Sequence, residues 1–484
     1  MSHTCNSHKT ETTRHTTLSK KQHIAIIGSG SAAFAAAIKA TELGAKVTII
    51  EAADNIGGTC VNVGCVPSKI FIRGAHIADL QNNHNFKGIA LNKPSINRKE
   101  MVKQQQQWVE KLRITKYENI LNTNPDISLI KGFASFKDSF TLSVSRNDGS
   151  SIDVKADKFL LATGASADLP DLPGLTGTPF WTSTEALVAE EIPEHLLVIG
   201  ASVVALEMAQ AFHQLGSKVT ILARHSLLSR EDPAISEALT DIFNQQGMNV
   251  IPNTHVELVE YNNNSFILRT TNGEYTGDKL LVATGRKANT SALSLENVGV
   301  KTDKSGRIII DEYMRTNVEH IYAAGDCTTH PQFVYVAAAA GTHAARNMLD
   351  KPTALDLSIV PSVIFTNPQV ATVGLSESNQ NSFKSQIKSR TLTLENVPRA
   401  IANMNTHGFI KLVADKNTGR ILGCQVIANE AGEIIQTAAL AIQNKMTVQE
   451  LADQLFPYLT MVEGLKLTAQ TFFKDVKQLS CCAG

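Results

Sequence analysis

The chain alternates short apolar runs with amphipathic stretches, and one such succession occurs twice. HIAIIGSGSAAFAAAIKATELGAKVTIIEA from His23 and HLLVIGASVVALEMAQAFHQLGSKVTILAR from His195 align residue against residue. Each copy reads as an apolar strand, a turn of small residues, a helix closing at Leu-Gly, and a second strand Lys-Val-Thr-Ile, which predicts a βαβ unit. Two further apolar strands end in Ala-Thr-Gly, at Thr163 and Gly164 and again at Gly285, and read as matched exits from the two units. The second unit lies between those exits, so the first is expected to be interrupted and to resume afterwards. The expected fold class is therefore α/β: two Rossmann-like dinucleotide-binding domains, the second inserted in the first, followed by a C-terminal α+β domain. The expected boundaries are 21–165 with 287–355 for the first, 166–286 for the second and 356–484 for the third, with 1–20 a polar, aperiodic, flexible tail.

The two turns differ in ways that bear on what each unit holds. Gly28, Gly30 and Ala33 make a G-x-G-x-x-A turn, in which small residues let a pyrophosphate approach the backbone at a helix N-terminus. Glu51 closes the second strand where an acid accepts ribose hydroxyls, so this unit should hold an adenine dinucleotide with a free 2′-OH. In the second copy the turn is Gly200, Ser202 and Ala205, and Ala223 replaces the acid, with Arg224 and Arg230 following. Guanidinium forks suit a 2′-phosphate, so NADPH is preferred over NADH; the competing reading is solvated surface charge. Asp326, in YAAGDC after a strand-like run, is placed to meet a ribityl chain or a phosphate-bridging water.

Composition narrows the chemistry. The 484 residues carry equal numbers of acidic and basic side chains, 45 of each, so nothing global favours nucleic acid. The apolar runs are too short to span a membrane and the start lacks a signal-peptide core, so the expected location is cytoplasmic. There, cysteines stay mostly as free thiols, and clustering invites a redox or metal reading. Cys60 and Cys65 cluster in GGTCVNVGCVPSK beside the first unit, and Cys481 and Cys482 at the C-terminus. A regular helix would hold residues five apart at roughly 8 Å, too far for a disulfide, so cycling between disulfide and dithiol requires an irregular turn at the glycines and Pro67. A helix start there also favours a thiolate. The alternative for this pair is a static disulfide. The terminal dithiol suits capture of a soft thiophilic ion.

The GGTCVNVGCVPSK block, the doubled nucleotide units, the paired Ala-Thr-Gly exits and AAGDC resemble the pyridine nucleotide-disulfide oxidoreductase family from about residue 22 onward. The resemblance implies FAD in the first unit, with Gly58 and Thr59 among its contacts, NADPH or NADH in the second, and a homodimer with shared active sites built by the C-terminal domain. It implies that Cys65 touches the flavin, that Cys60 is the exchanging thiol, and that Lys69 and Glu207 pair beside the flavin. Disulfide-reducing members carry a His that serves as acid/base, with a Glu five residues on; here Glu463 is kept but Tyr458 takes the His position. A phenol with pKa near 10 does not shuttle protons at neutrality. The terminal Cys481-Cys482 with Tyr458 resembles instead the branch of this family that reduces Hg(II). That resemblance implies metal-binding roles for Cys60, Cys65, Cys481 and Cys482, with Tyr117 and Tyr458 assisting in the cleft.

Overall fold

The computed structural model describes residues 21–378 and 387–478; the tail 1–20 lies outside them. The first repeat forms β1 (His23–Ile27), α1 (Ser31–Glu42) and β2 (Lys46–Glu51), followed by α2 (Gly58–Asn62), α3 (Cys65–Asn82), β3 (Ile127–Lys131), β4 (Lys158–Leu161) and β5 (Ala165–Ala167). The second repeat supplies β6 (His195–Ile199), α4 (Val203–Gln214) and β7 (Lys218–Leu222), and β8 (Asn249–Ile251) and β9 (Lys279–Val282) complete its sheet. β10 (Arg286–Ala288) then pairs antiparallel with β5, a ribbon that joins the two Ala-Thr-Gly exits. β11 (Ile321–Ala323) returns to the first sheet, whose order is β11-β4-β1-β2-β3, while the second runs β8-β7-β6-β9. Every pairing in these two sheets is parallel. Helices cover such sheets, which is why β1 and β6 read as apolar runs rather than alternations.

Local chemistry explains why both copies fold alike. Gly28 sits at φ 100°, where a Cβ would stand 2.3 Å from the Ala162 carbonyl oxygen; Gly200 sits at φ 135° with the same 2.3 Å approach to Ala283. Only glycine permits either turn. Each helix closes on a left-handed glycine, and the next amide reaches back: Ala45 to the Ala40 carbonyl at 3.0 Å and Ser217 to Phe212 at 3.1 Å. The duplication extends past the aligned segments. His23 Nε2 contacts Thr48 Oγ1 and His195 Nε2 contacts Thr220 Oγ1, both at 2.9 Å. The amides of the same histidines donate to Asp157 at 2.7 Å and Asp278 at 2.6 Å. α1 also packs on α5 (Val334–Met348), where a Cβ on Gly341 would lie 2.1 Å from the Ala32 carbonyl oxygen, so a small residue sets that crossing.

The third region is an antiparallel sheet of β12 (Ser362–Ile364), β13 (Gln369–Gly374), β14 (Ile387–Thr393), β15 (Phe409–Asp415) and β16 (Ile421–Ala428), ordered β12-β13-β16-β15-β14, with α6 (Ala431–Gln443) packed on it. It docks on α4 through main chain: the amide of Phe365 donates to Glu207 at 2.9 Å and that of Asn367 to Gln210 at 2.7 Å. A buried ion pair, Lys411 with Asp232 at 3.0 Å, ties β15 to the second repeat's side of the molecule. Among the described residues no helix is long and apolar enough to cross a membrane.

Candidate active site

A cavity of about 2870 Å³ runs from the turn of the first repeat to that of the second, with Cys60, Cys65, Lys69 and Glu207 on its wall. Gly28, Gly30, Glu51, Gly58, Thr59, Thr163, Gly164 and Asp326 line it on one side, and Gly200, Ser202, Arg224, Arg230 and Gly285 on the other. Ala33 and Ala205, expected among the cofactor contacts, stand behind the wall, fully buried, where their small size lets α1 and α4 lie against their sheets.

Both turns present open backbone donors. α1 and α4 begin at Gly30 and Ser202 without any side-chain cap, which leaves their first amides, and the Ser202 hydroxyl, available to an anion. A Cβ on Gly58 would lie 2.6 Å from Gly30 Cα, so the two loops approach as closely as two glycines allow. Glu51 is held at the cavity edge by the Ser29 hydroxyl and by the Ala53 amide at 2.7 Å. Arg224 and Arg230 put positive charge where the second repeat lacks an acid. These features fit a dinucleotide with free ribose hydroxyls on one side and a phosphorylated one on the other. Asp326 lies 3.9 Å from Arg286; burial raises its pKa and that guanidinium opposes the rise.

The thiols occupy a break between helices. Cys60 belongs to α2 and Cys65 opens α3, with Val63 and Gly64 between; a Cβ on Gly64 would come 2.8 Å from the Thr59 carbonyl oxygen, so the break depends on glycine. Both cysteines are free and hydrogen-bond each other. That bond, helped by the Lys69 ammonium one turn along and opposed by burial and Glu207, lowers the Cys65 pKa to about 7. The same contact, with burial, pushes Cys60 up. One nucleophilic thiolate and one proton-bearing partner result. Lys69 Nζ meets Glu207 at 2.8 Å and lies 4.7 Å from the Phe365 ring centroid; the Glu207 side chain is 3% exposed.

Tyr117 sits in a π-helical turn, Ile114–Glu118, and packs behind the cysteine loop instead of on the wall. Its ring meets Phe34 edge-on at 4.9 Å, its phenol bonds Ser31, and a Cβ on Gly57 would touch it at 3.3 Å. Burial raises its pKa, and the charges of Cys60 and Cys65 add to the rise. Tyr458 is half-exposed and does not line the cavity of its own chain, while Glu463 accepts from the Leu459 amide at 3.0 Å. Cys481 and Cys482 lie outside the described residues. Ser29, Phe365, the stacked Phe333 and Tyr335, and Gln436 of α6 also line the cavity; of these only Ser29, framed by the two turn glycines, carries a local sequence signal. Among the described residues no group of His, Cys, Asp and Glu forms a resident metal centre.

Residues 22–341 match the model of the pyridine nucleotide-disulphide oxidoreductase family and residues 360–469 its dimerisation domain. A mercuric reductase from Shewanella putrefaciens is 59% identical, over 98% of this chain and 85% of its own. One from Acidithiobacillus ferrooxidans is 61% identical, over 96% and 84%. Among solved structures, LpdA from Mycobacterium tuberculosis superposes with a TM-score of 0.85 at 28% identity, covering 94% of this chain and 100% of that one. The HOCl-induced flavoprotein disulfide reductase RclA from Escherichia coli gives 0.83 at 29%, over 93% and 100%. The chain belongs to the pyridine nucleotide-disulphide oxidoreductase family.

Proposed function

We propose that this chain is an NADPH-dependent FAD flavoprotein that reduces Hg(II) to Hg(0). The observation that carries the reading is a pair of mutually bonded thiols on the wall of a two-nucleotide cavity, in a chain whose position for an acid/base imidazole holds Tyr458. Relatives named mercuric reductase at 59% and 61% identity support it. The overall reaction is NADPH + Hg(SR)₂ + H⁺ → NADP⁺ + Hg(0) + 2 RSH, with two electrons passing from the nicotinamide to the metal.

Bound FAD supplies the relay that takes a hydride from nicotinamide and delivers electrons at the thiols. The chain's own groups do the rest. Arg224 and Arg230 hold a 2′-phosphate, and the amides after Gly30 and Gly200 hold the two pyrophosphates. Glu51 holds ribose hydroxyls. Lys69, fixed by Glu207, keeps a cation beside Cys65 and sustains its thiolate. Cys65 and Cys60 take Hg(II) as two soft sulfur ligands, and Cys60 surrenders its proton as the metal arrives. The partner subunit's Cys481 and Cys482 receive the ion first and pass it on by thiolate exchange, so that it always keeps two sulfur ligands; the partner subunit's Tyr458 steadies the exchange, and Tyr117 supports it from behind the cysteine loop. A homodimer with shared sites fits the exposed Leu440, Leu455, Leu459 and Phe473 around the segment matched to the dimerisation domain. We place the reaction in the cytoplasm, where thiols stay reduced, and expect no nucleic acid partner for a chain of net charge +0.

The test adds Hg(II) with excess small thiol to the yellow protein and follows NADPH absorbance together with mercury vapour. Coupled loss of both is expected, with oxidised glutathione inert. Changing both Cys481 and Cys482 to alanine should cut turnover of bulky mercury thiolates about tenfold or more. Brisk NADPH oxidation by a disulfide, with none by mercury, would overturn the reading.

A further inference from the structure

The two nucleotide sites hold their recognition residues by different means. Glu51 is fixed from within the first repeat, by Ser29 and by the Ala53 amide. The loop that carries Arg230 is fixed from outside the second. Beyond Arg224 the chain turns at Leu228, whose φ of 48° is a left-handed conformation that a leucine adopts only where its surroundings impose it. The Leu228 amide donates to the Ala201 carbonyl at 2.9 Å, and the Glu231 amide closes the turn on the Leu228 carbonyl at 2.8 Å. Arg230 lies inside that turn, with its side chain exposed on the cavity wall.

The far end of the loop is Asp232, which is 2% exposed. Its Oδ1 accepts from the Ala234 amide at 3.0 Å and caps the helix Pro233–Gln245. Lys411 Nζ donates to both carboxylate oxygens, at 3.1 and 3.0 Å, and meets Glu377 at 2.5 Å. The Glu377 amide in turn reaches Asp232 Oδ2 at 3.4 Å. Lys411 belongs to β15 and Glu377 follows β13, so the third region supplies this whole clamp. Removing one partner of a buried ion pair leaves the other charge uncompensated, so Asp232 does not keep its place without Lys411. Arg230 is two residues away, no more than about 7 Å of chain, and must follow.

We infer that Lys411 is a positioning residue for Arg230: by holding Asp232 it sets where the guanidinium meets a 2′-phosphate. Discrimination of NADPH from NADH is then built partly by the C-terminal domain, which touches neither arginine's repeat in sequence. The inference rests on the NADPH reading above.

Calorimetric titration of the oxidised, flavin-loaded dimer with NADP⁺ and with NAD⁺ provides the test, since it needs no turnover. Lys411→Met should lower the preference for NADP⁺ over NAD⁺ about threefold or more, with NAD⁺ affinity nearly unchanged. Lys411→Arg should restore most of the preference. In an Arg230→Ala background, Lys411→Met should leave the preference where Arg230→Ala had put it. Where Lys411→Met fails to fold, Asp232→Asn serves, because asparagine keeps the helix cap and gives up the charge that Lys411 holds. An effective Arg230→Ala beside an unchanged preference in Lys411→Met and Asp232→Asn would overturn this inference alone. So would an equal loss of both coenzymes, which is what a merely structural role produces. No effect of Arg230→Ala would withdraw the premise itself and overturn the inference with it.

Discussion

Lys69 and Glu207 are separated by 138 residues and meet at 2.8 Å, joining the helix that opens with Cys65 to the first helix of the second repeat. The carboxylate also accepts from the Phe365 amide at 2.9 Å, so one buried acid gathers all three regions of the chain around one ammonium. The consequence for Cys65 is electrostatic and measurable.

Alkylation of the reduced protein by iodoacetamide should show one thiol with a midpoint near pH 7 and a second that reacts only at much higher pH. Lys69→Met removes a contribution that lowers the Cys65 pKa, so its midpoint should rise by about one pH unit. Glu207→Gln removes one that raises it, and the midpoint should fall. Because the folded pKa lies below the ordinary thiol value, ionisation of Cys65 adds stability that is full above about pH 8.5 and is lost as pH falls through about 7. Cys60 has the opposite sign and subtracts stability at higher pH. Equal midpoints for both thiols would contradict the geometry.

The two glycine turns should fail separately. Gly28→Ala and Gly200→Ala each force a Cβ to 2.3 Å from a carbonyl oxygen at positive φ, at a cost of at least about 3 kcal/mol. Gly28→Ala should purify with little flavin, read as a lost visible absorbance. Gly200→Ala should keep its yellow colour and bind NADPH poorly. Loss of flavin from both variants in equal measure would argue against a division of labour between the copies.

Arg224→Ala should raise KM for NADPH about tenfold with little change in kcat, since a charge-assisted bond is worth about 1.5–3 kcal/mol. The KM for NADH should barely move, so the ratio of the two cofactors' kcat/KM is the reading. Arg230→Ala should follow the same direction. An unchanged ratio in both variants would return these arginines to the solvated surface.

Much of the architecture was legible because it was written twice. The duplicated His, turn, Leu-Gly and Lys-Val-Thr-Ile positions are local signals, and they became matched strands, turns and helix ends. The irregular turn that the cysteine spacing demanded is a clean break at Val63 and Gly64. What stayed hidden depends on long-range packing. Phe365 reaches Lys69 from the loop after β12, and Arg98 is buried over the Phe71 ring with the Leu187 carbonyl as its acceptor, a place set by residues distant in sequence. Ala33 and Ala205 have the motif spacing of ligand contacts, yet their place in space is a packing seam.

The ribbon of β5 and β10 has a consequence for biosynthesis. The second parallel sheet is drawn from the continuous stretch 195–282, whereas the first lacks its edge strand until Ile321–Ala323 has emerged. A chain growing from its N-terminus therefore completes its later sheet before its earlier one, and the ribbon, which can pair only once residue 288 is made, seals the order.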